Sequence, residues 1–398
     1  MSVKDLNILY TTAHYPYPPI GGDRSKQYYL LKHLAENNNV TVVSLDKGLE
    51  VKSENIEEMK KINIDSYVFK INHTKGYFNA ALFSPFGNPL EIEFFRNPGF
   101  RNKIKELTGN IKFDLVINYF LRTAELVKNI NSKKILLSED CRSYYQANTY
   151  PISRNFRQKM IRFYESKKLR KYESDIMNYF DVTTAVTQTD LNEMKKLNPN
   201  AIIKILTNGV DVEKYKPGND NNNRKDIIFA GKLDFWLNRL IVERIINKIL
   251  PGIKKVHPQV KFHIIGANPE KYFFRVQNEN ILLHPNVKDV VPYMQSSAVF
   301  LNPHIGGSGI QNKNLEAMSC GCAVVTSESG ANGINIKSGY NCFIAVKDYD
   351  FINCTNQLIS DTSLRNFIGH NARELILKEH KWDVIYNSMD NIITSILL

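Results

Sequence analysis

The sequence predicts an α/β protein built from two Rossmann-like, parallel-sheet domains. Short β-branched and apolar runs alternate with helical patterns along the 398 residues, and strand–helix alternation implies parallel sheets. Several runs are apolar at consecutive positions, as strands covered on both faces are. The rhythm breaks at the polar PGNDNNNRKD (217–226), which has Pro, Gly and no periodicity and reads as a loop beside a domain boundary. With about six strands in each half, two domains fit better than one large sheet.

In chain order the first half offers LNILYTT (6–12), NVTVVSL (39–45), DSYVFKI (65–71), DLVIN (114–118), KILLS (134–138), DVTTAVT (181–187) and IIKIL (202–206) as strands. The second half offers IIFAG (227–231), KFHIIG (261–266), NILLH (280–284), AVFLNP (298–303), AVVTS (323–327) and CFIAV (342–346). Helices are expected between them, among them Ser25–Glu36, Arg239–Val256 and Ile310–Ser319. The closing HKWDVIYNSMDNIITSILL places Trp382, Ile385, Met389, Ile392, Ile393 and Ile396 near helical spacing, so that stripe is expected to dock.

Composition narrows the class. At 43% hydrophobic and 23% charged residues the chain reads as a soluble globular protein. No stretch approaches the roughly 20 apolar residues of a membrane span. The opening MSVKDLNILYTTAHYPYPP carries Asp5 and no long apolar run, so no signal peptide is expected and a cytoplasmic enzyme is the default. Cys141, Cys320, Cys322, Cys342 and Cys354 are odd in number and lack metal-ligand spacing, which favours buried thiols and no metal site.

The net charge of +12 is uneven. Residues 154–171 (RNFRQKMIRFYESKKLRK) hold eight Lys/Arg against one Glu, interleaved with Phe156, Met160, Ile161 and Phe163. Such a helix could lie on an anionic membrane surface or be a solvated face. No nucleic-acid-binding motif accompanies the charge, so no nucleic-acid partner is expected.

Two loops could carry chemistry, because open parallel sheets bind ligands beyond the carboxyl ends of their strands, often at helix N-termini. One is YPYPPIGGDRSKQ (15–27), where Gly21–Gly22 permits a close backbone approach. The other is GGSGIQNKNLEAMSCGCAVVTS (306–327). Its glycines turn the chain into a helix whose N-terminal amides and dipole suit a diphosphate. Lys313 adds a point charge, and Glu316, its i,i+3 neighbour, could accept from ribose hydroxyls. A surface Lys–Glu pair on a helix with a glycine start is the plain alternative.

These stretches also carry a resemblance. NPHIGGSGIQNKNLEAMSCGCAVVTS resembles the donor-site signature of glycosyltransferase family 4 (group 1), retaining enzymes of the GT-B fold. YPPIGGDRSKQYYLLKHLAENNNVTVVSL resembles that family's opening glycine loop and first helix, and TNGVDVEKYKP (207–217) its entry into the second domain. IIFAGKLDFWLN and ILPGIKKVHPQVKFHIIGANP resemble the strands and helix that follow, so the likeness covers most of the chain in order.

The resemblance implies two Rossmann domains facing across a cleft: an acceptor-side domain over 1–207, a nucleotide-sugar domain over 208–380, and a helix over 381–398 returning to the first. It implies no cofactor or metal, because basic groups and a helix N-terminus neutralise the leaving diphosphate. Residue by residue, Lys232 and Lys313 are the basic candidates at the diphosphate, Glu316 the ribose acid, and Gly307, Ser308, Gly309 and Ile310 the loop whose amides approach sugar and phosphate. Gly21 and Gly22 match the N-terminal loop under the diphosphate, and Arg24 and Arg142 are expected on the acceptor side.

Three departures stand out. Ser308 occupies the place of the first acid of the family's E-x7-E pattern. The segment after Gly231–Lys232 reads DFWLN and lacks a second basic residue, so Lys313 is expected to take that role. Where the family often has a His after a late N-terminal strand, this chain has Glu139–Asp140–Cys141–Arg142. Asp140 or Glu139 is then expected nearest the reacting carbon, with a helix N-cap as the other reading of Asp140.

The function so implied is a retaining, metal-independent glycosyltransferase of the hexosyl type, acting from a nucleotide-sugar on a cell-surface glycan or lipid-linked saccharide. The aromatic GYFNAALFSPFGNPLEIEFFRNPGF (76–100) falls where the family forms its acceptor side. Together with 154–171 it suits an acceptor at the inner membrane face, and a packed loop is the alternative. A second functional reading is a GT-B subunit without catalysis that supports a partner glycosyltransferase.

Overall fold

The computed structural model describes residues 3–46, 51–219, 223–273 and 278–398. Residues 220–222 of the expected boundary loop lie outside these. The described strands are β1 (Asn7–Thr12), β2 (Asn39–Asp46), β3 (Ile64–Lys70), β4 (Leu115–Tyr119), β5 (Lys133–Leu137), β6 (Val182–Ala185), β7 (Ile203–Ile205), β8 (Ile227–Ala230), β9 (Phe262–Gly266), β10 (Ile281–Pro285), β11 (Val299–Asn302), β12 (Ala323–Thr326) and β13 (Phe343–Ile344). Each falls within a residue or two of an expected run.

They form two parallel sheets. The first has seven strands in the order β3-β2-β1-β4-β5-β6-β7, and the second six in the order β10-β9-β8-β11-β12-β13. Both follow the doubly wound pattern, in which the order reverses beside the first strand. The chain divides into a unit of Met1–Thr207, Gly307–Gly309 and Ile385–Leu398, and a unit of Asn208–Gly306 with Ile310–Val384. The expected fold class, two Rossmann-like parallel-sheet domains, is what is found.

Consecutive apolar residues are explained by double coverage. In β8, Ile227 and Phe229 join one core cluster, with Ile241, Ile245 and Phe351. Ile228 and Ala230 join another, with Phe300, Leu315 and Met318. Successive strand side chains point to opposite faces, so a strand covered on both sides has no polar phase.

Three helices depart from expectation. The first starts three residues early, at Gly22, because Gly21 at φ 91° lets the chain turn directly into it. The helix expected over Arg239–Val256 begins at Trp236 and includes a π-helical turn over Ile245–Ile249, just before Pro251. That wider turn accommodates a proline with no amide to donate. The helix expected from Ile310 begins at Asn312, since Gly309 lies at φ 73° and Gln311 is extended.

The last helix, Trp382–Leu397, buries its stripe as expected: Trp382, Ile385, Met389, Ile392, Ile393 and Ile396 are all buried. Within the first unit His33 stacks on Tyr386, with ring centroids 4.4 Å apart, and bonds Asp390 at 3.0 Å. All five cysteines are free; four are buried, and burial pushes their thiols up. Among the described residues no helix is long and apolar enough to cross a membrane, and no cluster of His, Cys, Asp and Glu could hold a metal ion.

Candidate functional site

In the second unit the strand order reverses between β8 and β11, so the loops leaving those strands border the sheet's ligand-binding edge. β8 runs into Gly231 and Lys232, and β11 into Pro303, His304 and the glycines. Gly306, Gly307 and Gly309 have φ of 64°, 84° and 73°. An L side chain there costs roughly 1–2 kcal/mol, so the turn depends on glycine.

The helix Asn312–Ser319 follows. Its N-cap, Gln311, makes no side-chain cap bond. The amides of Asn314 and Leu315 reach the Gln311 carbonyl, so the first turn's leading amides and the positive dipole end face outward from the helix. Its other end is firmly held. Gly321 turns at φ 63°, Arg224 donates to the Gly321 and Cys320 carbonyls at 2.7 and 2.9 Å, and Arg373 to the Ser319 carbonyl at 2.9 Å. Cations at a helix C-terminus stabilise it and leave the N-terminus as the open pole.

Lys313 is tethered rather than loose on the surface. Its Nζ donates to Asn238 Oδ1 at 2.6 Å and sits 4.7 Å from the Phe229 ring centroid. Asn238 Nδ2 in turn donates to the Lys232 carbonyl at 2.7 Å, which ties the helix to the β8 loop. A Cβ at Gly231 would lie 3.1 Å from Asn238 Nδ2 and 3.3 Å from Lys313 Nζ, so glycine there makes the approach possible. Burial pushes the Lys313 ammonium down to about 7, against the pull of Glu316.

Glu316 is pushed up to about 7 by burial, opposed by Lys214 and a hydrogen bond from the Tyr215 hydroxyl. Lys313 and Glu316 are both half-buried. They share one helix face, yet Lys313 takes Asn238 as its partner, so the plain surface-pair alternative does not describe them. Lys232 has an exposed side chain, and Ile310 packs on the second unit's core. His304, buried beside Lys313, is held neutral by burial, its ring pushed down to about 3.

In the first unit the order reverses between β1 and β4. Gly21 and Gly22 open the helix Gly22–Ala35 without a side-chain cap, and Arg24 is half-buried in its first turn. A polar chain extends from that turn. Asp23 Oδ2 meets His14 Nδ1 at 3.0 Å, and His14 Nε2 faces Arg122 Nη1 at 3.4 Å. Arg122 and Arg142 donate through Nε to the two oxygens of Glu91, at 2.7 and 2.9 Å. These guanidiniums overcome the effect of burial and hold Glu91 down at about 2.

Both guanidiniums also lie over the ring of Phe120, at 4.8 and 5.5 Å. Phe120 follows β4 directly and takes φ 67°, a left-handed conformation uncommon outside glycine.

Asp140 ends the chain. Its Oδ2 accepts from Ser308 Oγ at 3.0 Å and lies 3.7 Å from Arg142 Nη1, while its buried Oδ1 has no partner. Burial raises its carboxyl above the ordinary range. The N-cap reading of Asp140 is not met. Cys141 is the N-cap of the helix Arg142–Thr149, and Glu173 accepts the Arg142 and Ser143 amides.

Glu139 does something else. Buried Lys26 pairs with it at 2.8 Å and also donates to the Leu206 carbonyl. Gly309 N donates to Asp190 Oδ2 at 3.1 Å, so that amide is satisfied by a protein carboxylate here.

The structure therefore gathers Asp140, Arg142 and Ser308 in one unit, and Lys313, Gly231 and Asn238 in the other. Sequence pattern did not single out His14, Lys26, Glu91, Arg122, Asp190 and Asn238. Lys26 did leave a signal. It stands four residues before Leu30 and eight before Leu34, on the buried stripe of its helix, where an unpaired cation would be costly.

Residues 224–361 match the family model described as glycosyl transferases group 1. The chain is 21% identical over 399 residues to an uncharacterized 44.6 kDa protein in the cps region of Klebsiella pneumoniae, covering 96% of this chain and 98% of that protein. It is 25% identical over 206 residues to the capsular polysaccharide biosynthesis glycosyltransferase CapM of Staphylococcus aureus, covering 48% and 54%. Among solved structures, Anabaena HepE in complex with UDP and glucose matches with a TM-score of 0.70 at 14% identity, covering 98% of this chain and 100% of that one. At that identity the likeness shows the fold, which is GT-B.

Proposed function

We propose that the chain is a retaining glycosyltransferase of the hexosyl type, moving a sugar from a nucleotide-sugar to a cell-surface glycan or a lipid-linked saccharide. The match of residues 224–361 to group 1 glycosyl transferases supports the transferase class. The observation that carries the reading is the tethered Lys313 beside the uncapped start of the helix Asn312–Ser319, at the switch point of the second sheet.

Cleaving a sugar–diphosphate bond builds negative charge on the leaving group. Lys313, Lys232 and the amides that lead into Asn312–Ser319 are the groups we assign to that charge. One preorganised donor is typically worth about 3–4 kcal/mol, or 10²–10³ in rate. Glu316 is assigned to the ribose hydroxyls, and Gly307, Ser308, Gly309 and Ile310 to the sugar and phosphate. Gly21 and Gly22 keep their assignment to the N-terminal diphosphate loop.

Asp140, with one buried and unpartnered oxygen, is our choice for the group near the reacting carbon. Glu139, paired with Lys26, supports it. Arg24 and Arg142 are assigned to the acceptor side. Retention follows if the acceptor hydroxyl attacks from the leaving-group face and the diphosphate takes its proton. No metal enters this scheme, because Lys313 and the helix pole carry the neutralising charge. The protein acts, in this reading, in the cytoplasm at the inner membrane face.

A thermal-shift panel of UDP, GDP, dTDP and CMP with their common sugar conjugates tests the reading. A rise for one nucleotide supports it and selects the donor. The anomeric configuration of the product, read by NMR, then tests retention, and unchanged turnover in EDTA tests metal independence.

A further inference from the structure

We infer that the first unit carries a lipid-docking surface, formed jointly by the helix His73–Phe83, the turn 84–87 and the N-terminal half of the helix Phe156–Ile176, and that its partner is an anionic bilayer surface. The inference rests on the reading above, in which the acceptor lies at a membrane, and deepens it by assigning the side chains that enter the interface.

The two segments are joined by specific contacts. The Tyr164 hydroxyl donates to the Ser84 carbonyl at 3.2 Å, and Lys168 Nζ donates to the Pro85 and Gly87 carbonyls at 3.2 and 3.3 Å. Tyr164 and Lys168 stand four residues apart on one helical stripe, and Met160 and Phe156 continue it outward. Phe86, on the turn so held, is 94% exposed, and Phe156 is 75% exposed. Tyr77 and Phe78 on the first helix, and Met160 and Ile161 on the second, are also exposed. Exposed apolar side chains gathered on two segments joined in this way mark an interaction site, whereas scattered single residues need no explanation.

Charge selects the partner. Residues 66–90 contain no Asp or Glu, and 154–171 contain only Glu165. Glu165 is buried and turned inward, accepting the Leu90 and Glu91 amides. The outward charges of these two segments are therefore cations: Lys75, Arg157, Lys159 and Lys167 are all exposed. Exposed aromatics between unopposed cations suit a bilayer of anionic lipids, where rings enter the headgroup boundary and Lys/Arg face phosphate. An acidic protein would match the charge but leaves Phe86 and Phe156 without an apolar counterpart.

Flotation of the full chain with phosphatidylcholine vesicles, with and without phosphatidylglycerol, tests this. The chain is expected to float with the anionic vesicles and not with phosphatidylcholine alone. The double variant Phe86→Ser/Phe156→Ser, which keeps every charge and alters only exposed positions, is expected to bind them at least about tenfold more weakly. Lys159→Glu is expected to weaken binding as well, with a steeper salt dependence in the wild type. Wild-type flotation by the double variant would overturn the inference, leaving plain charge attraction. So would tighter binding to an oligonucleotide than to the vesicles. Nucleotide affinity, measured on the same samples, separates the two readings: vesicle binding without any nucleotide binding would count against the transferase and not against the surface, and the converse result would do the reverse.

Discussion

Lys313 Nζ donates to Asn238 Oδ1 at 2.6 Å, and this bond holds a half-buried ammonium beside the loop that leaves β8. Holding a cation there costs solvation, and burial accordingly pushes its titration down to about 7. We read that cost as preorganisation for an anionic leaving group. Lys313→Ala should lower turnover by at least about 10²-fold with an unchanged circular dichroism spectrum. A wild-type rate would remove Lys313 from the chemistry.

The same titration makes binding depend on pH. Lys313 is a cation below about 7 and neutral above it, and Glu316, also near 7, ionises over the same range. Losing the Lys313 charge removes the cation that faces the diphosphate, whereas ionising Glu316 strengthens its bonds from the ribose hydroxyls. The diphosphate carries most of the ligand's charge, so the affinity of a nucleoside diphosphate should fall as pH rises from 6 to 8. Lys313→Met should flatten most of that slope. Isothermal titration at several pH values reads it directly, and equal slopes in the two proteins would show that another group is responsible.

Stability should depend on pH through the buried carboxyls of the first unit. Burial raises Glu165 and Glu173 to about 7 and Asp190 to about 6. A group with a raised carboxyl pKa holds a proton in the folded state that it loses in the unfolded state, so it lowers stability as pH rises through that range. Glu91, held at about 2, works in the other direction: its contribution is present above the ordinary carboxylate range and is lost as pH falls from there through 2. Calorimetric melting should therefore be highest near pH 5, lower at pH 8 and lower again at pH 3. Glu173→Gln should flatten the limb between pH 5 and 8; a limb unchanged in that variant would refute the assignment.

Two glycines should respond to alanine with opposite signs. A Cβ at Gly369 would fall 2.3 Å from the Gly321 carbonyl oxygen, a backbone atom that also receives Arg224. Gly369→Ala should cost about 1–3 kcal/mol, as overpacking does. Gly109, in the helix Pro98–Asn110, has nothing within 4 Å of its would-be Cβ. Gly109→Ala should add about 0.5–1 kcal/mol through helix propensity. Urea titrations of the two variants check both values, and a gain for Gly369→Ala would mean the Gly321 turn is not fixed.

The sheets were legible because strands covered on both faces have no polar phase: IIFA and VFLN read as strands without any structure. The glycine loop was legible because three glycines within four residues, followed by Lys313 and Glu316, are close in sequence. The starts of helices were less so. Whether a helix begins at Ile310 or Asn312 depends on the φ of Gly309, which sequence does not carry.

The first-unit network was mostly hidden. Its pairs are distant along the chain: Glu91 meets Arg142 across 51 residues and Lys26 meets Glu139 across 113. Only helix periodicity could have marked its members. Lys26 on the stripe of Leu30 and Leu34, and Glu165 and Glu173 on the stripe of Leu169, are charges where apolar residues belong.

The most direct measurement is calorimetric titration of nucleoside diphosphates into the wild-type chain and Glu316→Ala. One diphosphate is expected to bind the wild type, and the variant is expected to bind it about tenfold more weakly, as loss of a charged hydrogen-bond acceptor should cause. Equal affinity in the two proteins, or no binding of any nucleotide, would contradict the donor site at the start of Asn312–Ser319.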